Sequence, residues 1–217
     1  MERKNPSLIK VDVSGDFQEA VLHAADILLA GGVVAFPTET FYGLAVDVRN
    51  ETAIERLFSA KKRSASSPVL ILIGSLGSLD QYVDNIPQIA FGLIKEFWPG
   101  GLTLVFNAGP KISPLLTAGT QKIGIRLSSH PVATALALAI ESPISGTSAN
   151  ISGQPACRNA HEVLESFGKG VDLVLDGGET AGEVGSTVLD VTGQPLQVLR
   201  EGVISKKQLE ACGFNIA

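Results

Sequence analysis

Three consecutive cations, Lys61, Lys62 and Arg63, stand out in a chain whose formal net charge is −5. Once a chain leaves a helix and extends, alternate side chains point the same way, so Lys61 and Arg63 would share one side. Such a pair can hold a polyphosphate, with the lysine as a mobile point charge and the arginine as a planar fork. The same residues could instead end a helix and complement its dipole. The triplet alone leaves both interpretations open.

Hydroxyl and amide side chains gather in two further stretches, "AFPTETFYGLAVD" and "GTSANISG". Thr40 follows an apolar strand, and in open α/β sheets ligands bind at the carboxyl ends of strands. Ser148 and Asn150 lie between glycines, which allow a backbone to approach a ligand closely. Neither stretch is a Walker loop or a Rossmann fingerprint. The first could also be an ordinary hydroxyl-rich turn, since Thr and Glu cap backbone groups.

Other candidate ligands lie singly along the second half of the chain. Arg126 ends "IGIRL", Ser186 lies in "GEVGSTVLD", and Arg200 ends "LQVLR". An isolated arginine at a strand end is more often a surface charge than a ligand. No Ser–His–Asp or Cys–His pattern is apparent, and no carboxylate cluster predicts a metal site. These residue types favour binding a phosphorylated or carboxylated ligand over attacking one.

Helices and strands alternate along the chain that must position these residues. Helical periodicity predicts helices beginning near Phe17 with Asp16 and Glu19 as a capping box, after Asn50, at Pro87, at Pro131, after Asn159 and after Ser205. Apolar runs between them predict the strands "VVAF", "VLILI", "LTLVF", "IGIRL", "VDLVL", "STVLDV" and "LQVLR". The alternation predicts a single α/β domain over residues 1–217, built around a mixed sheet with flanking helices.

The composition limits the classes of partner. With 45% hydrophobic residues and a pI near 5.2, the chain has a core but no overall positive field to attract DNA or a membrane. Cys157 and Cys212 are far apart and show no metal-ligand spacing, which is typical of reduced thiols. The first residues lack the apolar stretch of a signal peptide, so we expect a cytoplasmic protein.

Six ordered blocks resemble those of the YrdC-like threonylcarbamoyl-AMP synthases, from about Val33 to Ile204. The blocks are "FPTETFYGLAVD", "FSAKKRSASSPVLILI", "WPGGLTLVF", "IGIRLSSHP", "GTSANISGQPA" and "GSTVLDV…VLREG". The resemblance is to the short, single-domain form. It implies an open, twisted α/β sheet with a deep, concave and cationic ligand face. It also implies an activity: L-threonine, bicarbonate and ATP give threonylcarbamoyl-AMP and pyrophosphate, for threonylcarbamoyladenosine in tRNA.

The resemblance assigns roles by matching position. It implies that threonine is bound by Thr40, Arg126 and Ser186, and ATP by Lys61, Arg63, Ser148, Asn150 and Arg200. Lys61 and Arg63 would be catalytic by neutralising the triphosphate. Mg²⁺ would arrive with ATP, bridged mainly by phosphates and waters, with no protein residue assigned to it.

Two alternatives stay open on the residues alone. The first is a protein that binds tRNA or double-stranded RNA without catalysis, which the acidic balance and the scarcity of aromatic residues disfavour. The second is a carbamoyl transferase with the same nucleotide site and another acceptor. tRNA itself and the proteins that modify tRNA are further possible partners.

Overall fold

A computed structural model describes residues 5–64 and 66–217. These residues form seven α-helices, of which five are 8–12 residues long and two are shorter. The helices are α1 Gln18–Leu29, α2 Glu51–Lys61, α3 Gln88–Phe97, α4 Pro114–Thr117, α5 Pro131–Ala139, α6 Ala160–Phe167 and α7 Lys206–Ala211. The strands are β1 Ser7–Lys10, β2 Val34–Phe36, β3 Gly43–Ala45, β4 Ile71–Leu72, β5 Leu102–Asn107, β6 Lys122–Arg126, β7 Ile144–Ser145, β8 Thr147–Ser148, β9 Leu173–Asp176, β10 Thr187–Asp190 and β11 Gln197–Arg200.

The strands form two mixed sheets. One has the order β1-β9-β2-β3-β8 and the other β11-β10-β5-β6-β4-β7. In the second sheet β10 runs parallel to β5, while β6 runs antiparallel to β5 and parallel to β4. The predicted α/β class with flanking helices is confirmed, but the strands form two twisted mixed sheets where one was predicted.

Strand β2 shows how the two cores of the fold are separated. Val33 and Ala35 pack in a core with Leu104 and Ile125 of the six-stranded sheet, whereas Val34 and neighbouring Phe36 face the other side. That second side is covered by α1 and α5, which pack against each other. Successive side chains of a strand point to opposite faces, so a strand buried on both faces reads as a continuous apolar run.

Local signals fix several helix ends as predicted. Asn50 accepts a hydrogen bond from the Ala53 amide, Asn159 accepts one from Glu162, and Ser205 forms a capping box with Gln208. The prediction at the first helix was wrong: its N-cap is Phe17 without a side-chain hydrogen bond, because the Asp16 carboxylate accepts from the Gln18 amide instead. The predicted strand "VLILI" is shorter than expected, covering Ile71–Leu72.

None of the helices within the described ranges is long and apolar enough to cross a membrane.

Candidate active site

A cleft with a volume of about 510 Å³ lies over one face of the six-stranded sheet. This volume is in the usual range for cofactor and substrate sites. Its floor comes from alternate residues of β6, namely Lys122, Gly124 and Arg126. One wall is formed by the loop after β2, which carries Thr38 and Thr40.

Six of the predicted site residues line this cleft although they come from all parts of the chain: Thr40, Arg63, Arg126, Ser148, Ser186 and Arg200. The strand register accounts for two of them. Thr103 pairs with Val188, and Val188 pairs with Arg200. Leu104 pairs with Ile125, which places Thr103 beside Arg126. The two arginines therefore lie in one cross-strand row, on the face that the cleft exposes.

Backbone oxygens hold two of the three guanidinium groups. Arg63 donates from Nη2 to the Pro68 carbonyl at 2.7 Å. Arg200 donates from Nη2 to the Ser186 carbonyl at 2.8 Å and to the Ser186 hydroxyl at 3.1 Å. That hydroxyl also lies 3.0 Å from the Thr103 hydroxyl. Since carbonyl oxygens orient an arginine without cancelling its charge, both groups keep their positive charge for a ligand.

Electrostatics in the cleft favour an anionic ligand. Burial lowers the pKa of the Arg63 guanidinium, and the charge of Arg200 lowers it further. Burial likewise lowers the pKa of Arg126, against an opposing effect of Glu39 and with a further contribution from Arg200. Arginine remains protonated in spite of such shifts. The lowered pKa values therefore show that the positive charges are partly desolvated and repel one another. A bound anion would relieve this unfavourable energy.

Lys61 and Asn150 lie outside the lining of the cleft. Lys61 is 1% exposed, and its Nζ donates to the Ser148 carbonyl at 2.5 Å and to the Asn150 carbonyl at 2.8 Å. A third acceptor, Asn150 Oδ1, lies at 3.2 Å. The Lys61 carbonyl in turn accepts from the Ser152 amide at 2.9 Å. The lysine therefore holds the 148–152 loop, and Ser148 of that loop lines the cleft.

The Asn150 side chain serves the same loop. Its Oδ1 accepts from the Ser148 hydroxyl at 2.7 Å, and its Nδ2 donates to the Gln154 carbonyl at 2.8 Å. Burial, followed by the charge of Arg63, lowers the pKa of Lys61 to about 7. The basic triplet thus ends helix α2 and also contributes Arg63 to the cleft, so both interpretations of the triplet, as a helix end and as part of a ligand site, apply. Lys62 adopts a left-handed conformation there, with φ 49°.

Several residues of the site had no distinct signal in the sequence. Thr38 and Thr103 line the cleft together with Lys122, whose Nζ lies 2.7 Å from Asp190 Oδ2. Glu39 pairs with Arg126 at 3.1 Å. For Thr38 and Glu39 the sequence offered one indication, the pattern Thr-Glu-Thr after a strand. That pattern is equally typical of an ordinary turn.

A metal cage was not predicted, and no cluster of three or more His, Cys, Asp or Glu side chains suited to a metal ion occurs in residues 5–64 and 66–217. Glu201 is the carboxylate residue among those lining the cleft.

Comparisons with known proteins agree on one family. The Sua5/YciO/YrdC family, which carries the description "Telomere recombination", matches residues 26–202. The threonylcarbamoyl-AMP synthase of Pyrococcus abyssi is 41% identical over 187 residues, covering 86% of this chain and 55% of the relative. That of Vibrio cholerae is 37% identical, covering 85% of this chain and 98% of the relative.

A solved structure has the same fold. P. abyssi Sua5 complexed with L-threonine superposes with a TM-score of 0.92 at 37% identity, over 97% of this chain and 62% of that one. This chain therefore spans little more than half the length of several relatives that it matches.

Proposed function

Because this chain belongs to the Sua5/YciO/YrdC family, we propose that it is an L-threonylcarbamoyladenylate synthase, an ATP-dependent nucleotidyltransferase that supplies threonylcarbamoyl-AMP for the modification of tRNA. The observation that carries the proposal is the convergence of Arg63, Arg126 and Arg200 on one cleft beside the hydroxyls of Ser148 and Ser186. Relatives named threonylcarbamoyl-AMP synthase, and a related structure that holds L-threonine, support the same activity.

The cleft suits a reaction that needs positioning more than a protein nucleophile. The amine of threonine and bicarbonate give a carbamate and water. A carbamate oxygen then attacks the α-phosphorus of ATP, and pyrophosphate leaves in line. All three reactants are anionic or carry anionic groups, so charge neutralisation and alignment supply most of the acceleration. Alignment of this kind can contribute on the order of 7–11 kcal/mol.

Each lining residue has a role in this proposal. Arg126 binds the carboxylate of threonine, with Thr40 and Ser186 adding hydroxyl contacts. Arg63 and Arg200 neutralise the triphosphate, and Ser148 hydrogen-bonds to phosphate or ribose. Lys61 and Asn150, which we had expected to contact ATP directly, act by holding the loop that presents Ser148.

Mg²⁺ fits the cleft as a companion of the nucleotide. It accepts one or two carboxylates together with phosphate oxygens and waters. Glu201, whose Oε1 accepts from the Lys206 amide, would be such a carboxylate at the cleft, and phosphates and waters would supply the other ligands. The ion would add neutralisation of the triphosphate to that provided by the arginines.

The proposal is tested by pyrophosphate release from purified protein with ATP, L-threonine, bicarbonate and MgCl₂, omitting each in turn. Mass spectrometry of the product identifies the adenylate. Release that needs all components, together with the mass of threonylcarbamoyl-AMP, is the expected result. Folded protein that releases no pyrophosphate in the complete mixture would contradict the proposed function. Salt-sensitive binding of tRNA in that case would favour the RNA-binding alternative.

A further inference from the structure

Arg126 differs from the other two arginines of the cleft in having a carboxylate partner inside the protein. Its Nη1 donates to Glu39 Oε1 at 3.1 Å, and the two side chains are 5% and 19% exposed. The second Glu39 oxygen accepts from the Ser128 hydroxyl, and that hydroxyl accepts from the His130 amide at 3.1 Å. Glu39, which is not among the residues lining the cleft, is therefore held by β6 and the turn that follows it.

This pairing leaves one edge of the guanidinium unused. The buried Arg126 Nε has no hydrogen-bond partner, and no bond is formed by Nη2 to any part of the chain that the structure describes. Nε and Nη2 lie side by side on the edge that binds a carboxylate through two parallel hydrogen bonds. A buried N–H without a partner is costly, so the edge is incomplete until a ligand arrives.

Resting on the proposed function, we infer that Glu39 is a positioning residue for amino-acid recognition. By occupying Nη1, it turns the Nε–Nη2 edge of Arg126 towards the cleft and makes that edge the receptor for the substrate carboxylate. Ser128 assists by holding the second oxygen of Glu39. The arginine then bridges two carboxylates, one built into the protein and one belonging to the substrate.

The arrangement also divides the work among the three arginines. Arg63 and Arg200 are held by neutral carbonyl oxygens, so their charge is available to a polyphosphate. Glu39 already partly neutralises the charge of Arg126, which makes this arginine a poorer site for a triphosphate and a directional one for a single carboxylate. Glu39 thereby discriminates between the two anionic substrates at neighbouring positions of one cleft.

The test compares Glu39→Ala and Glu39→Gln with a matched pair far from the cleft. Arg56 and Asp172 form a similar ion pair, at 2.9 Å, that touches no residue lining the cleft wall around Arg126. Asp172→Ala therefore removes a carboxylate from an arginine away from the cleft, at a residue that is more exposed than Glu39 and that also accepts from the Val33 amide. Titration calorimetry would measure the affinity for L-threonine and for L-threoninol, in which an alcohol replaces the carboxylate. Melting temperatures and the KM for ATP are recorded for every variant.

We expect Glu39→Ala to weaken binding of L-threonine at least 10-fold while the affinity for L-threoninol and the KM for ATP change less than 3-fold. Glu39→Gln should lie within about 3-fold of the wild type, because its amide oxygen still accepts from Nη1. Asp172→Ala should leave the ratio of the two affinities unchanged.

The outcomes separate this inference from the proposed function. If the wild type binds threonine and Glu39→Ala binds it equally well, the positioning role is wrong and the synthase assignment stands. Equal losses for threonine and threoninol in both Glu39 variants would show a merely structural role and also overturn the inference. A folded wild type that binds no threonine, with or without ATP, would refute the proposed function and the inference with it.

Discussion

Replacing Lys61 by methionine should separate the activity of the protein from its stability. Methionine has a similar length but no N–H, so the Ser148 and Asn150 carbonyls lose their shared donor. Hydrogen bonds from a charged donor contribute about 1.5–3 kcal/mol each. Two such bonds therefore contribute about 3–6 kcal/mol to the order of the 148–152 loop.

An opposing cost accompanies the buried ammonium group. Burial and the nearby Arg63 lower the pKa of Lys61 from 10.5 to about 7. That difference corresponds to about 5 kcal/mol against the charged form, at about 1.4 kcal/mol per pKa unit. The two contributions to global stability nearly cancel, so we expect the free energy of unfolding of Lys61→Met at pH 7 to lie within about 2 kcal/mol of the wild type.

The loop itself receives no such compensation. If about 2–4 kcal/mol of its positioning is lost, kcat/KM for ATP should fall about 30- to 1000-fold, since about 1.4 kcal/mol corresponds to a factor of ten. The assay is pyrophosphate release at varied ATP, alongside urea unfolding. Lys62→Met is the matched control, because Lys62 is exposed and adjacent, and it should change kcat/KM less than 3-fold.

The pH dependence of stability provides a second readout. Because the pKa of Lys61 is lower in the folded chain, the unfolded chain binds an additional proton between about pH 7 and 10.5. The free energy of unfolding therefore rises with pH across this window, by up to about 1.4 kcal/mol per pH unit from this group. Lys61→Met should lack that rise. Parallel stability curves, or near-normal turnover by Lys61→Met, would refute the reasoning.

Two further substitutions test other parts of the site. Arg200→Lys removes the paired contacts of the guanidinium with Ser186, which an ammonium group cannot replace. In the pyrophosphate assay the KM for ATP should therefore rise at least 10-fold, with little change in the KM for threonine. Equal effects on both KM values would contradict the assignment of Arg200 to ATP. Tyr42→Phe removes a hydroxyl that donates to the Gly178 carbonyl at 2.8 Å and accepts from the Gly177 amide. Urea unfolding should therefore show a free energy of unfolding lower by about 1–3 kcal/mol. Because burial raises the pKa of this phenol to about 12, the loss should stay constant from pH 6 to 9.

The sequence by itself predicted most of the helices and strands and six of the residues that line the cleft. Periodicity and capping residues such as Asn50 and Ser205 fix helices through contacts between near neighbours, so local signals are sufficient there. Arg63 was a candidate as one of three consecutive cations, and Arg126 and Arg200 as arginines at strand ends; the family resemblance assigned their ligands. The first helix shows the limit of such signals, because the Asp16 carboxylate accepts from the Gln18 amide and not from the amide that the capping pattern predicts.

Only the tertiary structure decided which of these residues line the cleft and which support those that do. Lys61 and Arg63 are two residues apart, yet the left-handed Lys62 between them sends one side chain beneath the 148–152 loop and the other into the cleft. Arg126 and Glu39 are 87 positions apart, and their pairing depends on how β6 meets the loop after β2. Contacts of this range follow from sheet register and packing, which no local pattern of residues encodes.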